Sequence, residues 1–290
     1  MTASLPNPRS PPGTLTSLVF VLPACLVIGL LYLVPIGRLA ALSVGGADFG
    51  FANYAALFET PLYVQILIRT LRVSAWVVFA TLLFGYPIAY LLATAKPRVR
   101  QVLALLVLIP FWTSVLVRNY AWVYLLQRRG VVTELLVSSG LLSAPAPLMF
   151  NELGVVIGMS NALLPFMVLP IYIAIQAQDP AFLEAADSLG AGPSRSFFAV
   201  TLPLSLAGVY AGSLLVFATA LGFFVTPALL GGGRVLVAAT FIANEVENML
   251  NWPLAAAASL VLLAVVLVVI ALYTRSMSIE RLSGMGDGSA

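Results

Sequence analysis

Long apolar stretches separated by short polar segments dominate the hydropathy pattern of this chain. Each stretch exceeds the roughly 20 residues that a helix needs to cross about 30 Å of hydrocarbon. The stretches cover approximately residues 17–42, 70–95, 99–126, 153–178, 205–230 and 253–273. The first is too long for the apolar core of a signal peptide and has no nearby Ala-x-Ala-type cleavage site, so we expect a retained span. The pattern predicts an all-α integral membrane protein with six transmembrane helices.

The same pattern divides the chain into three parts. Residues 1–16 contain four prolines and several polar residues, which is typical of a flexible tail. Residues 17–275 form the transmembrane domain, and residues 276–290 form a polar C-terminal tail.

Proline recurs inside the apolar stretches. Each proline removes one backbone donor, so a neighbouring helix or a water-filled cavity must satisfy the freed carbonyl. Kinked helices of this kind are common in transporters. The prolines concerned are Pro23, Pro35, Pro87, Pro110, Pro165, Pro170 and Pro227.

The longest polar segment between apolar stretches is the 179–203 loop. Asp179 followed by Pro180 is a typical helix start, an N-cap acid before proline at the first helical position. Gly190 can adopt the left-handed conformation that ends such a helix. Pro193 can then begin a second helix that runs to Pro203. The loop is predicted to contain two short helices joined by a glycine turn.

Composition excludes several function classes. The chain is 61% hydrophobic and 9% charged, against about 25% charged residues in soluble domains. It has no histidine and one cysteine, which removes histidine-dependent catalysis, intramolecular disulfides, and multi-cysteine or histidine-based metal sites. A net charge of +3 without a basic run argues against a nucleic-acid partner. No glycine-rich loop precedes Lys96, the only lysine, so this chain cannot form a P-loop for ATP.

Charge also gives an orientation. The turn from Lys96 to Arg100 is the densest short basic loop, which places it in the cytoplasm. Six spans then put both termini and the 179–203 loop on the cytoplasmic side as well. The total count of basic residues is equal on the two sides, so the orientation depends on this turn.

The residues of the 179–203 loop resemble the EAA loop of ABC importer permeases. Glu184-Ala185-Ala186 is followed after three residues by Gly190, and after nine more by Val200-Thr201-Leu202-Pro203. The resemblance implies a type I ABC importer permease fold (MetI-like) with a cytoplasmic coupling helix that docks on an ATPase. The implied coupling residues are Glu184, Ala185, Ala186, Gly190, Leu202 and Pro203.

Further segments are similar to one branch of this family, the permeases of spermidine/putrescine importers. They are residues 51–58, 85–90, 109–113, 117–122, 245–247 and 251–259. The resemblance implies a multi-pass protein of the bacterial inner membrane that transports putrescine or spermidine. It also implies a second permease, two cytoplasmic ATPase subunits and an extracytoplasmic solute-binding protein as partners. ATP and Mg²⁺ would be used by the ATPase, with no cofactor on this chain.

A polyamine pathway needs aromatic faces for cation–π contact and a few carboxylates. The candidates are Trp112, Tyr120, Trp122, Trp252, Glu245 and Glu247. These side chains also fit two simpler roles. The rings are suited to the interfacial aromatic belt of any membrane protein, and the two glutamates are suited to a solvated loop.

Arg118 lies inside the third predicted span, where an unpaired charge is costly. We predict that it pairs with another group or clamps a backbone carbonyl. Its positive charge is also compatible with an anionic or zwitterionic substrate.

Alternative functions remain. The same importer class carries other small solutes, such as amino-acid-like, opine or phosphonate compounds. A secondary transporter would need a carboxylate at the centre of a span, and a membrane enzyme would need clustered ionisable groups. The six predicted spans supply neither.

Overall fold

A computed structural model of the chain describes residues 14–45, 50–141, 143 and 148–284, and the residues described are almost all helical. The helices are α1 (Thr14–Val44), α2 (Ala52–Glu59), α3 (Pro61–Thr94), α4 (Pro97–Trp112), α5 (Val115–Leu126), α6 (Val131–Ser138), α7 (Glu152–Gln176), α8 (Pro180–Ser188), α9 (Pro193–Ser196), a π-helical turn (Phe197–Thr201), α10 (Leu202–Leu221), α11 (Val225–Gly231), α12 (Ala238–Glu247) and α13 (Trp252–Gly284).

Among the described residues, five helical segments are long and apolar enough to cross a membrane. They cover Cys25–Val44, Pro61–Thr94, Glu152–Gln176, Pro193–Leu221 and Trp252–Tyr273. A sixth candidate is a bent pair, in which Pro97–Trp112 and Val115–Ser138 meet at 102°. With the pair taken as one broken span, the number of spans in the described residues equals the six predicted.

Two predicted spans differ from the structure. The stretch 99–126 is not one continuous helix, because Thr113 and Ser114 are extended between α4 and α5. The stretch 205–230 ends as a helix at Leu221, and Pro227 lies in the separate short helix α11 instead of kinking a span. The other six prolines are inside helices as predicted.

The predicted tails overlap the first and last helices. Helix α1 begins at Thr14, and the remainder of the tail 1–16 lies outside the described residues. Helix α13 continues to Gly284, so most of the predicted tail 276–290 is helical and its last residues lie outside the described range.

Helices α3 and α7 form the centre of the bundle and run parallel. At one end, Arg72 pairs with Glu152; at the other, Gln176 Nε2 donates to the carbonyl of Ala93 at 3.0 Å. The Lys96–Arg100 turn follows α3 and the 179–203 loop follows α7. Both therefore lie at the same end of the bundle, as the even number of intervening spans predicts.

Helix α10 approaches α7 closely because small residues line the contact. A Cβ built on Gly208 would lie 2.5 Å from the carbonyl oxygen of Pro170 and 2.6 Å from Cβ of Ala174. Membrane helices associate through such small-residue contacts, because lipid supplies no hydrophobic drive between them. Met167 and Val168 of α7 are fully buried between α3 and α10.

Candidate functional site

The first half of the 179–203 loop is a capped helix, as predicted. The side chain of Asp179 accepts a hydrogen bond from the backbone N–H of Ala181 at 2.9 Å, and Pro180 is at the first helical position. An N-cap of this type stabilises a helix by about 1 kcal/mol.

The predicted glycine turn ends α8. Gly190 has a φ of +78°, its N–H donates to the carbonyl of Asp187 at 2.9 Å, and the N–H of Ala191 donates to the carbonyl of Ala186 at 3.0 Å. These two bonds form a Schellman motif, in which the left-handed residue is usually glycine. The turn thus explains why the sequence has glycine at position 190.

The side chains of helix α8 are not covered by the rest of the chain that the structure describes. The helix has no buried residue within this chain: Glu184 and Ala185 are exposed, and Ala186 is half-buried. Beyond its C-terminus, Leu189 is 87% exposed. A helix with an exposed apolar residue on each turn is typical of a protein–protein contact.

The second half of the loop is continuous with a transmembrane helix. From Pro193 the chain passes through α9 and the π-helical turn into α10, so Leu202 and Pro203 begin α10 instead of ending a separate helix. Gln178 Nε2 donates to the carbonyl of Thr201 at 3.0 Å and joins the two ends of the loop. The loop is therefore tied directly to α10, and through Gln176 to α3.

An aromatic cluster supports the π-helical turn. The ring of Phe197 makes edge-to-face contacts with Tyr86, Tyr90 and Phe198 at centroid distances of 5.9, 5.1 and 5.0 Å. Tyr86 also shares a 2.8 Å hydrogen bond with Ser205 of α10. The cluster holds the end of α3 against the start of α10.

The four aromatic pathway candidates lie on α4, α5 and α13. Trp112 is 82% exposed and stands at the α4–α5 break, with its ring edge-to-face with Phe111 at 5.9 Å. Tyr120 and Trp252 are also exposed, whereas Trp122 is half-buried and donates from Nε1 to Asn161 Oδ1 at 3.3 Å. Within the described part of the chain, no two of these four rings stack on each other.

Arg118 is a carbonyl clamp, one of its two predicted roles. Its Nη1 donates to the carbonyl of Pro110 at 2.6 Å, and the hydroxyl of Thr113 donates to the same oxygen at 3.0 Å. Because the helix breaks after Trp112, this carbonyl has lost its helical partner. The guanidinium thus stabilises the 102° bend.

The two candidate carboxylates have different environments on α12. Glu245 is 8% exposed, and this burial raises the pKa of its carboxyl group above the ordinary value. Glu245 is therefore not a solvated loop residue. Glu247 is exposed and lines a cavity of about 220 Å³ between α11 and α12.

An ion-pair cluster at the opposite end of the bundle from the loop was not predicted. Glu152 Oε1 accepts from Arg72, and lies 3.4 Å from Arg69 Nε. The two arginines are three residues apart and so share one face of α3. That spacing is the only signal of the cluster in the sequence, because Glu152 is 80 residues away from Arg72.

The described residues contain no group of three or more histidine, cysteine, aspartate or glutamate side chains that could hold a metal ion.

Comparisons with known proteins agree on one family. The family model described as "Binding-protein-dependent transport system inner membrane component" matches residues 85–277. The chain is 40% identical over 224 residues to the spermidine/putrescine transport system permease protein PotB of Haemophilus influenzae, covering 77% of this chain and 78% of that protein. It is 36% identical over 228 residues to PotB of Escherichia coli, covering 79% and 82%.

Its fold is similar to that of a chain in the crystal structure of a bacterial alginate ABC transporter bound to a periplasmic protein that carries an alginate pentasaccharide. The TM-score is 0.73 at 20% identity, over 89% of this chain and 92% of that chain. The predicted ABC importer permease fold is confirmed.

Proposed function

This chain belongs to the family of binding-protein-dependent transport system inner membrane components, and from that premise we propose that it forms half of an inner-membrane pathway for putrescine or spermidine. The substrate assignment depends on the similarity to two spermidine/putrescine permeases, which extends over about four fifths of this chain and of each relative. The segments 85–90, 109–113 and 117–122, which resemble that branch, lie in α3, at the end of α4 and within α5, on both sides of the α4–α5 break.

The partners in this proposal are a second permease, two cytoplasmic ATPase subunits and an extracytoplasmic solute-binding protein. ATP and Mg²⁺ are bound by the ATPase subunits, since this chain has no P-loop and needs no cofactor of its own. The unburied surface of α8 supports an ATPase contact, because nothing within the described part of the chain covers it.

Coupling proceeds through the 179–203 loop. Glu184, Ala185 and Ala186 contact the ATPase, and Gly190 sets the direction in which the chain leaves α8. Movement of α8 passes into α10 at Leu202 and Pro203 because the helix is continuous from Pro193 onward. The bonds made by Gln176 and Gln178 carry the same movement to α3 and to the end of the π-helical turn.

The substrate pathway in this proposal uses aromatic rings at the α4–α5 break, on α5 and at the start of α13. Trp112, Tyr120, Trp122 and Trp252 offer faces for cation–π contacts, each worth about 0.5–2 kcal/mol. The charge of Arg118 is bound to a carbonyl, which lowers its repulsion of a passing cation. Glu245 and Glu247 supply negative charge near the outer mouth.

The orientation follows from the basic turn. The Lys96–Arg100 turn and the 179–203 loop face the cytoplasm, together with both termini. Their common position at one end of the bundle supports this assignment.

The test is uptake of radiolabelled putrescine and spermidine by the complete transporter in proteoliposomes, with ATP inside and binding protein outside. We expect ATP-dependent uptake of one or both polyamines. Uptake of only an amino-acid-like, opine or phosphonate compound would refute the polyamine assignment. Uptake driven by an ion gradient without ATP would refute the importer class.

A further inference from the structure

A cavity of about 500 Å³ separates the 179–203 loop from the ends of α3 and α7. Its volume is within the range of about 300–1,000 Å³ that is typical of ligand pockets. The lining residues with polar or aromatic side chains include Tyr90, Gln176, Gln178, Asp187, Ser196 and Phe197.

Two amide side chains in the wall each keep an acceptor oxygen without a partner. Gln176 and Gln178 each use Nε2 to donate to a backbone carbonyl, of Ala93 and Thr201 respectively. Each amide keeps its oxygen for a further bond. These oxygens can accept hydrogen bonds from an ammonium group of a ligand, and each amide also keeps one Nε2 hydrogen to donate.

Two further acceptors in the wall have no partner. Ser196 is 7% exposed and its Oγ makes no hydrogen bond in the described part of the chain, which is unusual for a buried hydroxyl. Across the described residues, the carboxylate of Asp187 makes no ion pair or side-chain hydrogen bond. Among the described residues, no lysine or arginine lines the cavity.

The apolar part of the wall is aromatic. Tyr90 and Phe197 line this cavity and also a second one of about 400 Å³, which Tyr86 and Phe198 complete. Aromatic rings favour methylene groups through burial, and favour ammonium groups through cation–π contact. The two cavities share the rings of Tyr90 and Phe197 as an aromatic wall.

From these observations we propose that the cavity binds an organic di- or polyamine from the cytoplasm, with an ammonium group at Asp187 and methylene groups against Tyr90 and Phe197. The proposal rests on the proposed function for its cytoplasmic location and for the identity of the amine as the imported product. A bound amine bridges α8 to α3 and α7. It therefore restrains the loop and slows transport when cytoplasmic product is abundant.

The test measures binding of radiolabelled spermidine to the complete transporter in nanodiscs, without nucleotide and without binding protein. Asp187→Asn keeps the shape of the side chain and removes its charge, so we expect at least tenfold weaker binding. Glu184→Gln is the matched control, because it removes the same charge from the same helix but does not line the cavity. Spermidine affinity should be unchanged in that variant.

A second measurement connects the site to transport. Spermidine sealed inside proteoliposomes should lower the initial uptake rate of the wild type severalfold more than that of Asp187→Asn. A wild type that binds no spermidine in nanodiscs, or equal affinities for the wild type and Asp187→Asn, would overturn the site. Equal inhibition of the two proteins would overturn its regulatory effect.

The outcome is separable from that of the proposed function. Binding that depends on Asp187 in a transporter that imports no polyamine would support the site and refute the substrate. Polyamine uptake without such binding would support the substrate assignment and refute the site.

Discussion

Replacement of Gly190 tests the coupling loop most directly. The φ of +78° at this position disfavours any residue with a Cβ by roughly 1–2 kcal/mol. A Cβ built there would have nothing within 4 Å, so the penalty is backbone strain without a clash. Gly190→Ala carries that strain alone, and Gly190→Val adds the crowding of a β-branched side chain.

The backbone strain at residue 190 is relieved when the two Schellman hydrogen bonds donated by residues 190 and 191 break. A cost of 1–2 kcal/mol lowers the population of the native turn by a factor of roughly 5 to 30. Transport and substrate-stimulated ATP hydrolysis should fall together by about this factor in Gly190→Ala, and further in Gly190→Val. Membrane abundance should stay near normal, since the spans are held by lipid and by each other.

Two variants serve as controls. Gly190→Asn should retain more activity than Gly190→Ala, because asparagine tolerates the left-handed region. Gly192→Ala should be close to the wild type, since Gly192 has a φ of −71° and open space around it. Uptake and ATPase rates are measured in the reconstituted transporter. Full transport by Gly190→Val at normal abundance, or equal losses in Gly190→Ala and Gly192→Ala, would refute the reasoning.

The remaining predictions concern the loop contact, packing, titration and orientation. Glu184→Ala should reduce transport less than Gly190→Val, because it removes one surface contact and leaves the turn intact; a larger loss in the same uptake assay would contradict this. Gly208→Ala should lower the thermal unfolding temperature, since its Cβ would lie 2.5 Å from a carbonyl oxygen of α7, whereas Gly29→Ala, with nothing within 4 Å, should not. Burial raises the pKa of Glu245, so the folded protein holds this proton more tightly than the unfolded chain, and stability should decrease as pH rises through the folded pKa. Glu245→Gln should flatten that decrease in a series of unfolding temperatures against pH, and an unaltered slope would be inconsistent with a buried carboxyl group. Cysteines introduced at Arg98 and Gly192 in a cysteine-free chain should resist an impermeant reagent added outside intact cells, and labelling of either would reverse the orientation.

The parts of the structure that were predictable have local causes. The N-cap at Asp179 and the left-handed turn at Gly190 depend on a few neighbouring residues, and both are present as predicted. The apolar stretches mark the spans because every buried backbone group in lipid must bond within its own helix. The clamp by Arg118 followed from the cost of a charge at that depth.

The unpredicted parts depend on distant residues or on small local differences. Apolar residues continue beyond Leu221, so hydropathy alone gave no sign that α10 ends there. The break at Thr113 follows Pro110 by three residues, and a proline can kink a helix without breaking it. The pairing of Glu152 with α3 joins residues 80 positions apart. Convergence of the pathway residues depends on a second permease and stays a prediction.

The uninterrupted helix from Pro193 to Leu221 is a rigid lever. Its 29 residues span about 43 Å at 1.5 Å per residue, which exceeds the thickness of the hydrocarbon layer. A tilt of about 5° about its loop end displaces the far end by about 4 Å, close to the width of a methylene chain. That far end leads through residues 222–224 into α11, which packs on α5. A rotation of the loop end that is too small to disturb the fold therefore displaces the opposite end of the helix by about 4 Å.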